Sequence, residues 1–498
     1  MMTMLWWQNL PLLMIVCALI CAALCSVLKA KSARKAMLSL SALVCAGMGI
    51  LLYFTLTENE SFVFAMGEIG APFGNELRVG AVEALTGLLF ASVMLLSLAG
   101  GWNQFALDIS PNRVNLYAAV FCLLMAAMAA MTFTNDLFTG YVFIEIGTIA
   151  ACALILSRNQ GRTMLAATRY MIMNLLGSGL FLLGLSMLYC LTGHLLFPQL
   201  GPAVRELVAE NRYSMPLYLS FLLMTMGIAI KSALYPFHTW LPDAYSASTA
   251  TSSAVLSSVV SKMYIFLLVK IFFRAAGEDA FTRHIEDVLL LYALVGVIMG
   301  SVHAIRQRHM LRMIAYSSVA QIGYIFLGIA LGTKAGFAAA LFHILAHSSA
   351  KSMLFLSGNR LRLAAGGHDT LPALRGAAKK APPAALAFLT GACSLVGVPI
   401  LGGFASKIYL ANAAVELGGW RMAAVLAALA VSTALNVAYL LRTALTLYRP
   451  AEDTEYTPMY SDKPFTFAMV ILIILNIVLG VFGGEVMKWI QQGIAVFA

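Results

Sequence analysis

Long apolar runs recur along almost the whole of this chain, and each is long enough to cross a hydrocarbon core of roughly 30 Å, which takes about 20 helical residues. With polar or charged punctuation as boundaries, the sequence predicts about 14 spans, centred roughly near residues 17, 46, 91, 123, 146, 180, 228, 261, 295, 321, 346, 398, 433 and 477. Only helices and closed barrels satisfy their backbone in lipid. These runs are continuously apolar and lack the alternation of barrel strands, so the expected fold is an all-α integral membrane protein. Of the 498 residues, 61% are hydrophobic and 11% charged, too little polar surface to cover a soluble globule. The first run has no basic segment before it, and "CALICAALCSVL" offers no convincing cleavage site, so it is expected to stay as a span.

Basic residues gather in alternate connections: Lys29, Lys31, Arg34 and Lys35; Arg158 and Arg162; Arg306, Arg308 and Arg312; Arg360, Arg362, Arg375, Lys379 and Lys380; Arg442, Arg449 and Lys463. The intervening loops, such as "TENESF", "RELVAENR" and "RAAGEDAFTRHIED", are acidic or mixed. The positive-inside rule then places both termini outside a cytoplasmic (inner) membrane. Topology accounts for the net charge of +10, and no nucleic-acid partner is needed.

The eight cysteines lie in apolar segments without zinc or iron–sulfur spacing, and there is no dinucleotide fingerprint or P-loop. Cys17, Cys21 and Cys25 fall four apart on one helix face, which reads as small-residue packing. No metal site, cofactor or catalytic centre of its own is expected in this chain. If electrons drive the protein, iron–sulfur, flavin or nickel centres belong to partner subunits.

Several spans nevertheless contain ionisable groups, each costing at least about 2.5–3.5 kcal/mol near the bilayer centre and so pointing to function. They are Glu145, Lys231, Lys262, His343, His347, Lys351 and Lys407. Lys270, Arg274 and Lys488 lie near span ends, where long side chains snorkel, and are expected to have no role. A purely structural Glu145–Lys231 ion pair is one alternative reading. Another takes Lys351 to the membrane interface. His343, His347 and Lys351 are spaced by four and share a helix face; they read as a row of protonatable groups rather than a metal site, which needs further ligands.

Two spans also contain helix breakers beside a lysine. In "IKSALYPFHTWLPDAY" Lys231 precedes Pro236 and Pro242, and in "SLVGVPILGGFASKIY" Gly397, Pro399, Gly402 and Gly403 precede Lys407. Broken helices are tolerated in lipid only where they line protein or a water-filled cavity, and a pair of them points to a transporter core built from inverted repeats.

"TNDLFTGYVFIEIGT", "ATRYMIMNLLGSGLFLLG", "IKSALYPFHTWLPDAYSASTATSSAVLSSVVSKMY", "IRQRHMLRMIAYSSVAQIGY" and "LGGFASKIYL" resemble the antiporter-like proton-translocating subunits shared by respiratory complex I, Mrp-type cation/proton antiporters and energy-converting membrane-bound hydrogenases. The resemblance runs from roughly residue 75 to 450. It implies 14 helices, with helices 1–3 in residues 1–105, two inverted five-helix repeats in 106–275 and 276–450, and helix 14 in 451–498. Helices 7 and 12 are then the broken ones.

By position, the resemblance makes Glu145 the carboxylate of the fifth helix, Lys231 its partner on the seventh, Lys262 the eighth-helix site and Lys407 the twelfth-helix site, with His343 and His347 on a hydrated axis between the halves. His309 stands where many relatives have Asp, putting a loop salt bridge in doubt, and "SASTATSSA" lacks prolines that many relatives carry. The stretch "AMGEIGAPFGNELRVGAVEALTGLLFA" and the chain length look more like Mrp D-type subunits and their hydrogenase counterparts than the longer complex I subunit with a lateral helix. The expected function is therefore proton translocation within a multi-subunit oxidoreductase, among other membrane subunits and a peripheral redox arm; the alternative is the D-type subunit of an Mrp Na⁺/H⁺ antiporter. A self-sufficient secondary transporter and a purely structural subunit stay open beside these.

Overall fold

The computed structural model describes residues 5–58, 60–66, 74–158, 160–276, 282–450, 459 and 462–495. Parts of three stretches singled out above therefore lie outside the described residues: Asn59, 67–73 and 277–281.

The chain is helical almost throughout. In order come α1 (Leu10–Val27), α2 (Ala30–Thr57), α3 (Ala81–Gly100), α4 (Val114–Phe133), α5 (Leu137–Leu156), α6 (Gly161–Thr192) and α7 (Ser214–Lys231). They continue with α8 (Leu241–Ala247), α9 (Ala250–Ala276), α10 (Arg283–Ile305), α11 (Met310–Ala330) and α12 (Lys334–Ala364). The last are α13 (Pro382–Val396), α14 (Gly402–Leu417), α15 (Gly419–Tyr448), α16 (Lys463–Val481) and α17 (Gly483–Ala495). Among the described residues, thirteen helices are long and apolar enough to cross a membrane. The run expected near residue 398 is the interrupted one, ending as α13 at Val396 and resuming as α14 at Gly402.

Burial sorts these helices into a centre and a rim. α9 and α12 are buried along the whole of their most apolar stretch, whereas only a third of that stretch is buried in the first and last spans. Rim helices present isolated Leu, Ile and Val side chains outward, as a lipid-facing surface requires. The innermost helices thus hold most of the ionisable groups, far from lipid.

A short hairpin, β1 (Phe62–Ala65) with β2 (Glu76–Val79), departs from the all-helical pattern. Its strands pair antiparallel with Phe62 opposite Val79, and an isolated bridge joins Leu77 to Thr134 at the end of α4. The hairpin is tied to the end of α4, where the Asn135 amide donates to the Glu76 carbonyl at 3.0 Å.

Candidate proton-conducting row

Glu145 and Lys231 are brought together by two helix ends. α5 is started by Asp136, whose carboxylate accepts a hydrogen bond from the Thr139 amide at 2.6 Å. α7 stops at Lys231, ahead of Pro236. The carbonyls exposed by that stop are taken up locally: Ala229 accepts from the Leu234 amide at 2.9 Å, and Ile230 from the Trp240 indole at 3.3 Å. Pro242 sits in the first turn of α8, where a missing amide costs nothing, so it opens the next helix rather than breaking one.

The Lys231 ammonium is fully buried and lies 3.3 Å from Glu145 Oε1. It also donates to Thr148 Oγ1 at 2.9 Å and lies 5.6 Å from the centre of the Tyr264 ring. Thr148 is three residues after Glu145 and shares its helix face. Glu145, one quarter exposed, accepts from the Ser178 hydroxyl of α6.

Lys262 follows a π-turn, Leu256–Val260, within α9. Such a turn displaces the regular ladder of backbone bonds, and two of its carbonyls take side-chain donors instead. The Ser257 carbonyl accepts from the Lys262 ammonium, and the Ser258 carbonyl from the Ser348 hydroxyl of α12 at 2.6 Å. Ser257 Oγ lies 3.1 Å from Ser318 Oγ on α11. Thr249, in the segment without prolines, caps this helix by accepting from the Ser252 amide.

On α12, His343, His347 and Lys351 follow one another along a single buried face. The Lys351 ammonium is fully buried and donates to the Ile314 carbonyl at 2.8 Å and to Ser317 Oγ at 2.5 Å. The alternative that takes it to the interface is therefore corrected: burial within α11 and α12 holds it inside. His343 Nδ1 and Ser406 Oγ are 3.0 Å apart, and the His343 and His347 rings lie 5.9 Å apart, nearly parallel. Among the described residues, both His347 nitrogens, Ser258 Oγ and Gln321 Nε2 have no hydrogen-bond partner in the protein. Buried polar atoms of this kind are commonly satisfied by ordered water.

The second break holds Lys407. Gly397 closes α13 in a left-handed conformation with φ of +92°, which a glycine adopts without strain. Pro399 lies in the break itself. Gly402 and Gly403, expected as breakers, instead form the first turn of α14. Gly403 is needed there because a Cβ would come within 1.8 Å of the Ser394 carbonyl oxygen. We expect Gly403→Ala to lower stability by about 1–3 kcal/mol through forced separation of α13 and α14, read as a lower melting temperature in detergent; an unchanged melt would refute this account of the glycine. The Lys407 ammonium donates back to the Val396 carbonyl at 2.8 Å, the last residue of α13, and to Thr433 Oγ1 at 2.9 Å. A cation on the exposed carbonyl of a helix end is well placed against the helix dipole. Its ammonium is 5.6 Å from the Tyr324 ring centre, and the Tyr324 ring is tilted against that of His343 with centres 5.4 Å apart.

Hydroxyl side chains fill the intervals of this row, and they are the members that motif reading passed over: Thr148, Ser257, Ser317, Ser318, Ser406 and Thr433. The signal for part of them is present in "SASTATSSAVLSSVVSKMY", where serines and threonines occupy every face of an otherwise apolar helix.

Lys270 and Arg274 do not snorkel. Lys270 is fully buried and donates to the carbonyls of Thr132 and Thr134 at the end of α4, the latter at 3.1 Å. Arg274 pairs with the buried Glu83 of α3 at 2.6 Å and donates to Asn135 Oδ1 at 2.9 Å. The α4–α5 turn and the helix Phe197–Ala209 cover this end of α9, with the Arg274 guanidinium 6.0 Å from the Phe197 ring centre, which span position alone does not reveal. Lys488, in contrast, is exposed. His309 finds a partner of its own, with its Nδ1 2.7 Å from Asp369 Oδ1.

Fold and site together define a class: a multi-pass helical membrane protein in which buried ionisable side chains run through interrupted helices at its centre. The chain belongs to the family described as "NADH:quinone oxidoreductase/Mrp antiporter, TM", whose model matches residues 134–434. The NADH-quinone oxidoreductase subunit N of Desulforudis audaxviator is 34% identical over 442 residues, covering 87% of this chain and 85% of its own. The D-type subunit of the Na(+)/H(+) antiporter of Alkalihalophilus pseudofirmus is 27% identical over 434 residues, covering 87% and 85%. Among solved structures, a chain of the membrane-bound sulfane sulfur reductase, an archaeal respiratory membrane complex, superposes with a TM-score of 0.89 at 26% identity, covering 98% of each chain. A chain of the Mrp complex from Dietzia sp. DQ12-45-1b, at 21% identity, shares the fold with a TM-score of 0.85 over 99% of this chain and 97% of that one.

Proposed function

We propose that this chain is a proton-translocating subunit of a multi-subunit, energy-converting redox complex, working in a cytoplasmic membrane with both termini outside. The observation that carries this reading is the Lys231–Glu145 contact of 3.3 Å beside a broken helix, continued by four more buried cationic or imidazole sites in Lys262, Lys351, His347 and His343 and ended by Lys407 at the second break. Glu145 and Lys231 load and release a proton, and each change of charge biases the next group along a hydrated axis. We assign residues 106–275 and 276–450 to two inverted repeats, each contributing one of the broken helices. The chain supplies no bond-making chemistry. Iron–sulfur, flavin or nickel centres belong to a peripheral arm of partner subunits, alongside other membrane subunits. Likeness to a respiratory reductase chain over 98% of each length supports this reading.

The second reading, the D-type component of a Na⁺/H⁺ antiporter without redox centres, is favoured by the resemblance to the Alkalihalophilus pseudofirmus protein. The discriminating experiment is to purify the intact complex through this chain in mild detergent, identify the chains that come with it, and assay iron, flavin and nickel. Redox centres with electron-driven proton uptake in proteoliposomes are expected. A metal-free assembly of small hydrophobic subunits that exchanges Na⁺ for protons would select the antiporter, and an assembly that moves no protons would overturn both.

A further inference from the structure

A cluster far from the conducting row involves none of the groups used above. Cys21 and Cys25, one turn apart on α1, meet Cys122 from α4. The Cys21 and Cys25 sulfurs are 3.9 Å apart, those of Cys122 and Cys21 3.8 Å, and all three lie within 4.8 Å of one another. Cys25 and Cys122 are fully buried and Cys21 is half-buried. Among the described residues this is the one group of three ligand-type side chains so close together.

The spacing matches a metal's demands. A d¹⁰ ion bound to sulfur at about 2.3 Å holds its sulfurs about 3.8 Å apart in a tetrahedral arrangement and about 4.0 Å apart in a trigonal one. Thiolates prefer soft ions, and a bound ion deprotonates the thiols that hold it. The donor set contains no carboxylate, so Na⁺, Mg²⁺ and Ca²⁺ have no ligand here. A divalent ion with two thiolates and one thiol is neutral, and with three thiolates carries a single negative charge. Basic residues lie in the connection that follows α1. Lys29 follows Cys25 by four residues, two beyond the end of α1 at Val27, and Lys31 and Arg34 come just after. The Asn115 side chain donates to the Leu28 carbonyl and ties the start of α4, with Arg113, to the same connection.

We propose that Cys21, Cys25 and Cys122 form a three-thiol site for a thiophilic d¹⁰ cation of the Cu⁺, Zn²⁺ or Cd²⁺ kind, fastening the lipid-facing first helix to α4. The test uses the full chain, purified in detergent with a non-chelating reductant and titrated with Cd²⁺. The thiolate-to-cadmium charge-transfer absorbance should rise to a plateau at one equivalent per chain, and excess Na⁺ or Mg²⁺ should not reduce it. Cys122→Ala and Cys21→Ser should each abolish the plateau. Cys17→Ser, one turn away, and Cys393→Ser should keep it. Cys21 is half-buried, so its serine variant folds readily, and an unchanged elution volume and melting temperature establish this before titration. Absence of the absorbance in the unmodified chain, or its survival in both Cys122→Ala and Cys21→Ser, would show the three thiols to be packing groups only.

Discussion

Replacing Lys231 by Met is expected to cut proton translocation by the assembled complex by at least about a hundredfold, the lower end of the range for losing a positioned proton donor or acceptor, without loss of the complex itself. Methionine fills the lysine's volume, and Glu145, one quarter exposed and still accepting from Ser178, is not left as a fully buried charge. Glu145→Gln should do the same. Because the two side chains act as one unit at 3.3 Å, the double variant should be scarcely slower than either single one. The measurement is electron-driven or ion-driven acidification of proteoliposomes, normalised to assembled complex. Wild-type rates in either variant would remove the pair from the proton path, and failure to assemble would make the pair structural.

A different loss is expected at the far end of α9. Arg274→Met should destabilise the chain by about 3–5 kcal/mol, the range for deleting one partner of a buried pair, because it removes the guanidinium that bonds the buried Glu83 carboxylate. Glu83→Gln combined with Arg274→Met should recover part of that loss, since the carboxylate is then neutral, while the buried Lys270 ammonium keeps its bonds to the Thr132 and Thr134 carbonyls. Thermal unfolding in detergent and the yield of assembled complex report the effect. If Arg274→Met melts with the wild type, the ion pair does not hold this corner. A rate per assembled complex that stays unchanged would separate this cluster from the conducting row.

The spans, the two breaks and the ionisable groups are legible because lipid makes each of them costly: an apolar run declares a helix, a proline declares a stop, and a lysine at depth declares a purpose. Depth along a span is readable, but direction around it is not. Lys270 and Arg274 stand near a span end, yet the turn after α4 and the helix Phe197–Ala209 that cover them lie far from α9 in sequence. Pro242 and Gly403 look like breakers because residue type fixes what backbone is permitted, while the neighbour fixes which is used. Gly403 is dictated by the Ser394 carbonyl, nine residues back across the break. Cys122 lies about a hundred positions from Cys21 and Cys25, so no spacing rule joins them. The hydroxyls are the subtlest omission, for serine and threonine are ordinary in membrane helices and reveal their partners only once α9, α11 and α12 are packed.

Those hydroxyls set a property of the whole device. A serine or threonine both gives and accepts a hydrogen bond, and its proton swings to suit either neighbour. On the proposed function, a wire built around Thr148, Ser257, Ser318, Ser317 and Ser406 has no rectifier: its middle serves current flowing either way. Polarity must then be imposed at the terminals, by whatever chains are attached there. One and the same membrane part can therefore be driven as a pump by a reductase or run as an exchanger by a cation gradient, and the machine it is bolted to decides which.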